Sequence, residues 1–533
     1  MAPTPAPRIP VLLKEEKLLC LVSLCILLVA INEACKAKNH VTYSSGHTDH
    51  ESRLTDYQNF LCKLAQICDI QKGGGTVTAL VALRGSQGPN YLFTSNNRKE
   101  MELEEAKKFL FDLLDTVGRP ADNLNEKPLR KQVLWRILEF NFPRLSLYLK
   151  NLTSALVDCI EDCRRQGELQ NLDTIKKLQD LKAKAEFPCD MSSSKNAKSK
   201  FLRDCDTLIK AIQSNKSDPI NQTIENRANG PDVAHSVSWC ELRHNLGRLL
   251  SYRRASDIIV DAPKKWPSLF QNFKVDYIPS ARLGRICTLK KLASPTEVIR
   301  SAFPDLDLSE YQSHINNLQH YRLDDLIHEQ LAPPSIFRPR IHCEVHLHDN
   351  LVQQGKTEAV DFWDDSKFIA TSKPTCRLCH YYFQDPNNSD FQLQAPHMNL
   401  YTKWQLPNVY EDQGVEAANR REEVMENMIE LLQESTLQIL KDEFPMWRKN
   451  DSRTDSRTTL SAAQRYSETS HSDTLDWSPG LRMEMPTVGR QMLDEFMVPH
   501  LPTGGENDWV IIEEPSERNE MDEEEAVRMG VAR

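Results

Sequence analysis

The sequence predicts an α/β fold that carries a large, mainly α-helical insertion and ends in a disordered acidic tail. Three observations lead there. A strand–turn–strand pattern over 76–96 is followed by helical periodicity through roughly 101–334. Two helix starts flanking a short strand then occupy 341–383. Beyond Pro445 the apolar periodicity stops, and Ser, Thr, Arg and Asp give way to a run of acids. The chain divides accordingly into an apolar helix and polar loop (1–50), a first helix and hairpin (51–98), the insertion (99–335), the second half of the core with its C-terminal helix (336–445) and the tail (446–533).

The 533 residues are 40% apolar and 27% charged, ordinary for a soluble chain with a large core. A net charge of −10 argues against a generally basic nucleic-acid binder, but not against a local basic channel. The 14 cysteines follow no disulfide framework, which points to a reducing compartment, cytoplasmic or nuclear. One stretch opposes that placement. Leu18 to Ile31 is apolar except for Ser23, short for a membrane span and of signal-peptide length. Glu15 and Glu16 dilute the positive flank, and no small-x-small site follows, so the run reads as a buried core helix with no membrane partner. A secreted protein is the alternative if the run is cleaved.

Residues 52–70 place Leu54, Phe60, Leu61, Leu64 and Ile67 on one side of a helix. Gly73-Gly74-Gly75 lacks the Lys-Ser/Thr of a phosphate-cradling loop and precedes a strand, so it reads as a turn. Strands at 76–83 and 91–95 then form a hairpin around Gly85–Pro89. In the insertion, helices are expected at 101–117, from Leu129 to a break at Pro143, and onward through Cys159 and Cys163, which extend a Leu152-Leu156 stripe as core residues. Lysine-rich amphipathic helices follow at 172–185 and 200–213, then a polar loop at 214–235. The next helix carries Arg243, Arg248, Arg253 and Arg254, with Lys264 and Lys265 beyond. Those charges read either as phosphate contacts, if the helix borders a cleft, or as a solvated face. Helices at 295–303 and 309–330 lead to Pro333-Pro334, and a long helix spans 412–442.

The chemistry concentrates in 341–383. His342-Cys343-Glu344 opens one helix, and Pro374-Thr375-Cys376-Arg377-Leu378-Cys379 opens another after a strand at 367–372. Residues two apart share no face inside a regular helix but can converge at its N-terminus. The interval from His342 to Cys376 holds one helix, a loop and a strand, so both halves can face one metal. One imidazole and two thiolates bind Zn²⁺ and leave a fourth position for water. Glu344 is then the proton shuttle rather than a ligand. A rival set pairs His342 with His346 on one helix face in a structural His₂Cys₂ site.

This stretch resembles the cytidine deaminase superfamily, and most closely its largely fungal, OTT-type deaminase-like proteins, through His342-x-Glu344, Ser372-Lys373-Pro374 and Cys376-x-x-Cys379. His397, Trp404 and Pro407 are similar to the segment that follows in those proteins. Thr375 and Cys343 depart from the general motif, where the proline adjoins the first cysteine and a small residue is usual between His and Glu. The resemblance implies a three-layer α-β-α core, zinc on His342, Cys376 and Cys379, and hydrolytic deamination by Glu344 of a base in a nucleotide or single-stranded nucleic acid. It also implies that Asn96, ending the second strand, holds the substrate's sugar; as a residue it reads equally as a turn asparagine. The rival function is a non-catalytic, zinc-stabilised scaffold. In the tail, Trp509-Val510-Ile511-Ile512 between acids is a candidate strand for a peptide-binding partner.

Overall fold

The hairpin follows from its alternation. β1 (Thr78–Arg84) and β2 (Pro89–Ser95) pair antiparallel, with Thr78 opposite Ser95 and Arg84 opposite Pro89. Gly88 is required at the turn, because a Cβ there would lie 2.6 Å from the carbonyl oxygens of Gln271 and Asn272. This computed structural model describes residues 8–39, 54–120, 125–167, 171–189, 191, 194–215, 218–228, 233–284, 292, 294–331 and 338–445. The expected disordered tail and its Trp509–Ile512 segment lie outside the described residues.

β3 (Lys274–Tyr277) runs parallel to β2, and β4 (Ala370–Thr371) antiparallel to β1, giving the order β3-β2-β1-β4. A single parallel bridge, Phe368 to Gln392, continues beside β4. The strand expected at 367–372 is thus shorter than its sequence pattern.

Two helices precede the hairpin, α1 (Glu15–Lys38) and α2 (Asp56–Cys68). Between β2 and β3 lie α3 (Glu100–Gly118), α4 (Glu126–Phe140), α5 (Phe142–Arg165), α6 (Asn171–Ala185), α7 (Lys195–Ser214), α8 (Pro219–Ala228) and α9 (Val233–Lys265). Between β3 and β4 lie α10 (Pro295–Ala302), α11 (Gln312–Gln319), α12 (Leu323–Leu331) and α13 (Cys343–Gln353). After β4 come α14 (Arg377–Gln384) and α15 (Gly414–Asp442).

Three expectations about 101–334 are corrected. β3 interrupts the helical region, because Phe273, Val275 and Tyr277 alternate toward the core in a run too short to stand out. The polar loop at 214–235 contains α8, since Pro219 suits a first helical turn and Ile220, Ile224 and Ala228 bury one stripe. The helix expected at 309–330 breaks at Arg322, whose φ of 67° leaves the helical region.

Strand alternation separates two cores. Leu80, Ala82, Tyr91 and Phe93 face α2 and the α3–α9 helices, while Ala79, Val81, Leu83 and Leu92 face α1 and α10–α15. The sheet is therefore covered by helices on both faces. The apolar run is inside. Among the described residues α1 is the one helix long and apolar enough to cross a membrane, and 78% of its most apolar window is buried, against α10, α11, α12 and α15. The insertion is tied to the sheet side by a buried pair, Arg144 on α5 with Asp69 after α2, at 2.5 Å.

Candidate metal centre

Each motif places its residues through a helix N-terminus. His342 is the N-cap of α13, in extended backbone, which lets its ring turn toward the first turn that carries Glu344. Asn96, at the end of β2, fixes that start. Its Oδ1 accepts the Cys343 backbone N–H at 2.7 Å, and its Nδ2 donates to the Gly74 carbonyl at 2.8 Å. Cys376 is the N-cap of α14, and its sulfur accepts the Cys379 backbone N–H at 3.5 Å. The Ser372-Lys373-Pro374 turn that delivers it is pinned to β1, where the Ser372 N–H donates to the Thr78 carbonyl at 2.9 Å and the Thr78 N–H to Ser372 Oγ at 3.1 Å.

These supports converge on one point. His342 Nδ1 lies 3.5 Å from Cys376 Sγ and 3.3 Å from Cys379 Sγ, and the two sulfurs are 3.4 Å apart. A tetrahedral zinc with Zn–S of about 2.3 Å and Zn–N of about 2.0 Å has donor–donor edges of roughly 3.5–3.8 Å. The triad matches that to a few tenths of an ångström. Trp404, 3% exposed, donates its indole N–H to Cys379 Sγ at 3.2 Å, the kind of contact that disperses thiolate charge. The residues fit zinc.

The electrostatics of the three groups agree with this donor set. Burial alone would raise the Cys376 thiol, but the Cys379 hydrogen bond and the His342 charge hold it well below its ordinary value. Burial and the neighbouring Cys376 thiolate push Cys379 well above its own. Burial opposes protonation of His342, yet Cys376 and Glu344 raise its pKa. A divalent cation held by His342, Cys376 and Cys379 would supply the positive charge that lets both sulfurs ionise beside a neutral imidazole.

The rival ligand set is not assembled. Among the described residues, His342, Cys376 and Cys379 form the three-residue group of His, Cys, Asp or Glu with donor atoms close enough for one metal. His346 Nε2 instead donates to the Pro279 carbonyl at 3.0 Å. His348 is buried against Tyr382, Phe383 and Phe391, with Nδ1 2.8 Å from the Tyr382 hydroxyl.

Glu344 is buried to 4% exposure, and the Cys343 thiol donates to its Oε2 at 3.3 Å. Glu344, His342, Cys376 and Asn96 line one cleft of about 630 Å³. The insertion supplies another part of its wall, with Arg144 and Tyr148 from α5 and Glu241, His244 and Asn245 from α9. The Tyr148 hydroxyl accepts from Arg144 Nε at 2.7 Å and Arg248 Nε at 3.0 Å. Burial would raise that phenol, but the two guanidinium charges bring it below its ordinary value.

The basic residues expected on α9 are spent elsewhere. Arg243 pairs with Glu225 at 3.0 Å, Arg253 with Asp257 at 3.4 Å and Lys264 with Glu126 at 2.9 Å, while Lys265 pairs with Asp56. The cleft takes its cations from Lys72, Arg338, Arg340, Lys373 and Lys403 instead. Arg338 and Arg340 precede the first motif and Lys373 lies within the second, but no residue pattern there marks them as cleft cations.

Residues 341–408 match the OTT-type deaminase-like family. This deaminase-like segment contains the three donors, Glu344 and Trp404; Asn96 and the wall built by α5 and α9 lie outside it. No curated protein and no solved structure matched the chain.

Proposed function

We propose that the chain is a zinc-dependent hydrolase that deaminates a nucleobase carried by a nucleotide or a single-stranded nucleic acid. The observation that carries it is the convergence of His342 Nδ1 and the Cys376 and Cys379 sulfurs, 3.3–3.5 Å apart, in the cleft that Glu344 also lines. A cytidine deaminase-like core is supported by three features. β1 runs antiparallel between β2 and β4, helices cover both faces, and α13 and α14 pack on the same side.

Bound zinc supplies a Lewis acid that acidifies a water near neutral pH. Glu344 would carry one proton of the attacking water to the ring nitrogen and the second, from the hydroxyl added at the ring carbon, to the departing amine, so that the C–O bond forms, the C–N bond breaks and ammonia leaves. Asn96 acts as a positioning residue. It holds the α13 N-terminus, and so the angle between His342 and Glu344. Asn96 also lines the cleft, which supports the expected contact with a substrate sugar.

One contact favours the second reading, a zinc-stabilised scaffold without catalysis. The Cys343 thiol occupies one oxygen of Glu344, a bond that a small residue at that position would not make. Metal content and ammonia release separate the two. Wild type and Glu344→Ala are expected to hold near one zinc and Cys376→Ser much less, with ammonia from wild type alone across a nucleoside, nucleotide and oligonucleotide panel. Cys376-dependent zinc with no ammonia from any substrate selects the scaffold.

A further inference from the structure

The cleft is cationic in an acidic protein. The chain carries −10, yet Lys72, Arg338, Arg340, Lys373 and Lys403 line this cleft with only Glu241 and Glu344 as carboxylates. Arg144, also in the wall, is already answered by Asp69. Along the insertion's surface, by contrast, cations are matched by acids, as in Arg130 with Glu126, Asp257 and Asp261, and Lys177 with Asp173 and Asp218. Among the described residues no carboxylate pairs with Lys72, Arg338 or Lys403.

The five cations stand in two groups on separate supports. Lys373 donates to the Gly73 carbonyl at 3.2 Å, which sets it beside Lys72 on the glycine turn. The Arg340 N–H donates to the Lys403 carbonyl and the Gln405 N–H to the Arg340 carbonyl, both at 3.0 Å. That short ribbon aligns Arg338, Arg340 and Lys403 beside the metal ligand His342. A wall residue adds recognition. Asn245 is fully buried, donates Nδ2 to the Glu241 carbonyl at 2.7 Å, and has no partner for its Oδ1. Asn245 lines the cleft, and a buried acceptor without a partner is costly unless a ligand donor fills it.

We propose that the cleft holds its substrate by phosphate, on Lys72 and Lys373 at one support and Arg338, Arg340 and Lys403 at the other, with Asn245 accepting a hydrogen bond from the sugar or base. The ligand is a phosphate-bearing nucleotide rather than a free base or nucleoside. This deepens the deaminase reading and takes the base position from it. Lys72, Arg338 and Lys403, exposed and with no carboxylate partner among the described residues, retain their charge for an anion, and guanidinium binds phosphate through two parallel hydrogen bonds.

Zinc-loaded Glu344→Gln protein, blocked in turnover, is titrated calorimetrically with cytidine, adenosine, their 5′-monophosphates and a mixed-sequence single-stranded oligonucleotide. The phosphorylated ligands are expected to bind about tenfold or more tighter than the nucleosides and to weaken as salt rises. Adding Lys72→Ala, Arg338→Ala and Lys403→Ala together removes that advantage with zinc content unchanged, whereas Lys131→Ala, away from the cleft, leaves it intact. These three side chains are exposed, so the fold survives their removal. Preference for the oligonucleotide assigns the site to a phosphodiester, and preference for the monophosphates to a terminal phosphate. Equal binding of nucleosides, an unaffected triple variant, or no binding of any ligand overturns the proposal. Phosphate-dependent binding with no ammonia from wild type sinks the deaminase reading alone; ammonia from nucleosides with no phosphate dependence sinks the phosphate site alone.

Discussion

A single indole N–H, from Trp404 to the Cys379 sulfur at 3.2 Å, joins the loop after the second motif to the metal donors. Trp404→Phe keeps most of the buried ring and deletes the donor. Zinc is expected to remain stoichiometric but to be held roughly tenfold more weakly, or worse, in competition with a chelator; a change below about twofold would make the contact incidental. His348 gives a second test. Burial, with the Lys367 charge, pushes its imidazole down to about 3. The unfolded chain therefore binds a proton that the folded chain refuses, and stability falls as pH drops from about 6.5 toward 3. Replacing it by phenylalanine removes that slope. In denaturant titrations at pH 7.5 and 5.5, with zinc in excess, wild type should lose about 1 kcal/mol more than His348→Phe. At this scale the ligands were legible and the helpers were not. His342, Cys376 and Cys379 announce themselves because few side chains can bind zinc. The role of Trp404 depends on the ribbon between Arg340 and Lys403, which places its indole, and no residue type encodes that.

At the scale of elements, the site is a matter of where two helices begin. Asn96 caps α13 from another segment, a bond between residues 247 apart in the chain. Asn96→Ala leaves the Cys343 N–H without its partner and is expected to cost about 1–2 kcal/mol in chemical denaturation. Asn96→Asp keeps the acceptor and should recover most of that loss; failure to do so would assign the effect to the Gly74 contact. The sequence showed Asn96 ending a strand, and so gave two readings of it, turn former or sugar contact. Neither includes a cap across space. Element boundaries were readable where the period was long, as in α15, and lost where it was short. β3 spans four residues, Lys274–Tyr277, and β4 two, Ala370–Thr371, too few for alternation to outweigh their helical surroundings.

For the whole molecule, the insertion and the sheet share one buried ion pair, Arg144 with Asp69. Burial would raise the Asp69 carboxyl, but Arg144 and Lys373 hold it below its ordinary range. Arg144→Ala strands that carboxylate in a buried site and is expected to cost about 3–5 kcal/mol by denaturant titration. A loss under about 1 kcal/mol would show that water reaches Asp69 once the guanidinium is gone. That the insertion builds part of the cleft was visible only as a possibility of its length. Which faces of α5 and α9 turn inward was not, since three of the four arginines that drew attention on α9, Arg243, Arg248 and Arg253, are engaged by Glu225, Tyr148 and Asp257.

The packing of α1 sets a timetable for the newborn chain. Its most apolar residues rest on α10, α12 and α15, and the last of these ends at Asp442. A ribosome working at about 5–20 residues per second needs on the order of tens of seconds to make the chain between them. Until then Leu18 to Ile31 lacks part of the surface that covers it in the finished fold, and its length is that of a signal-peptide core. The cover over α1 is therefore complete only when the last described helix has been made.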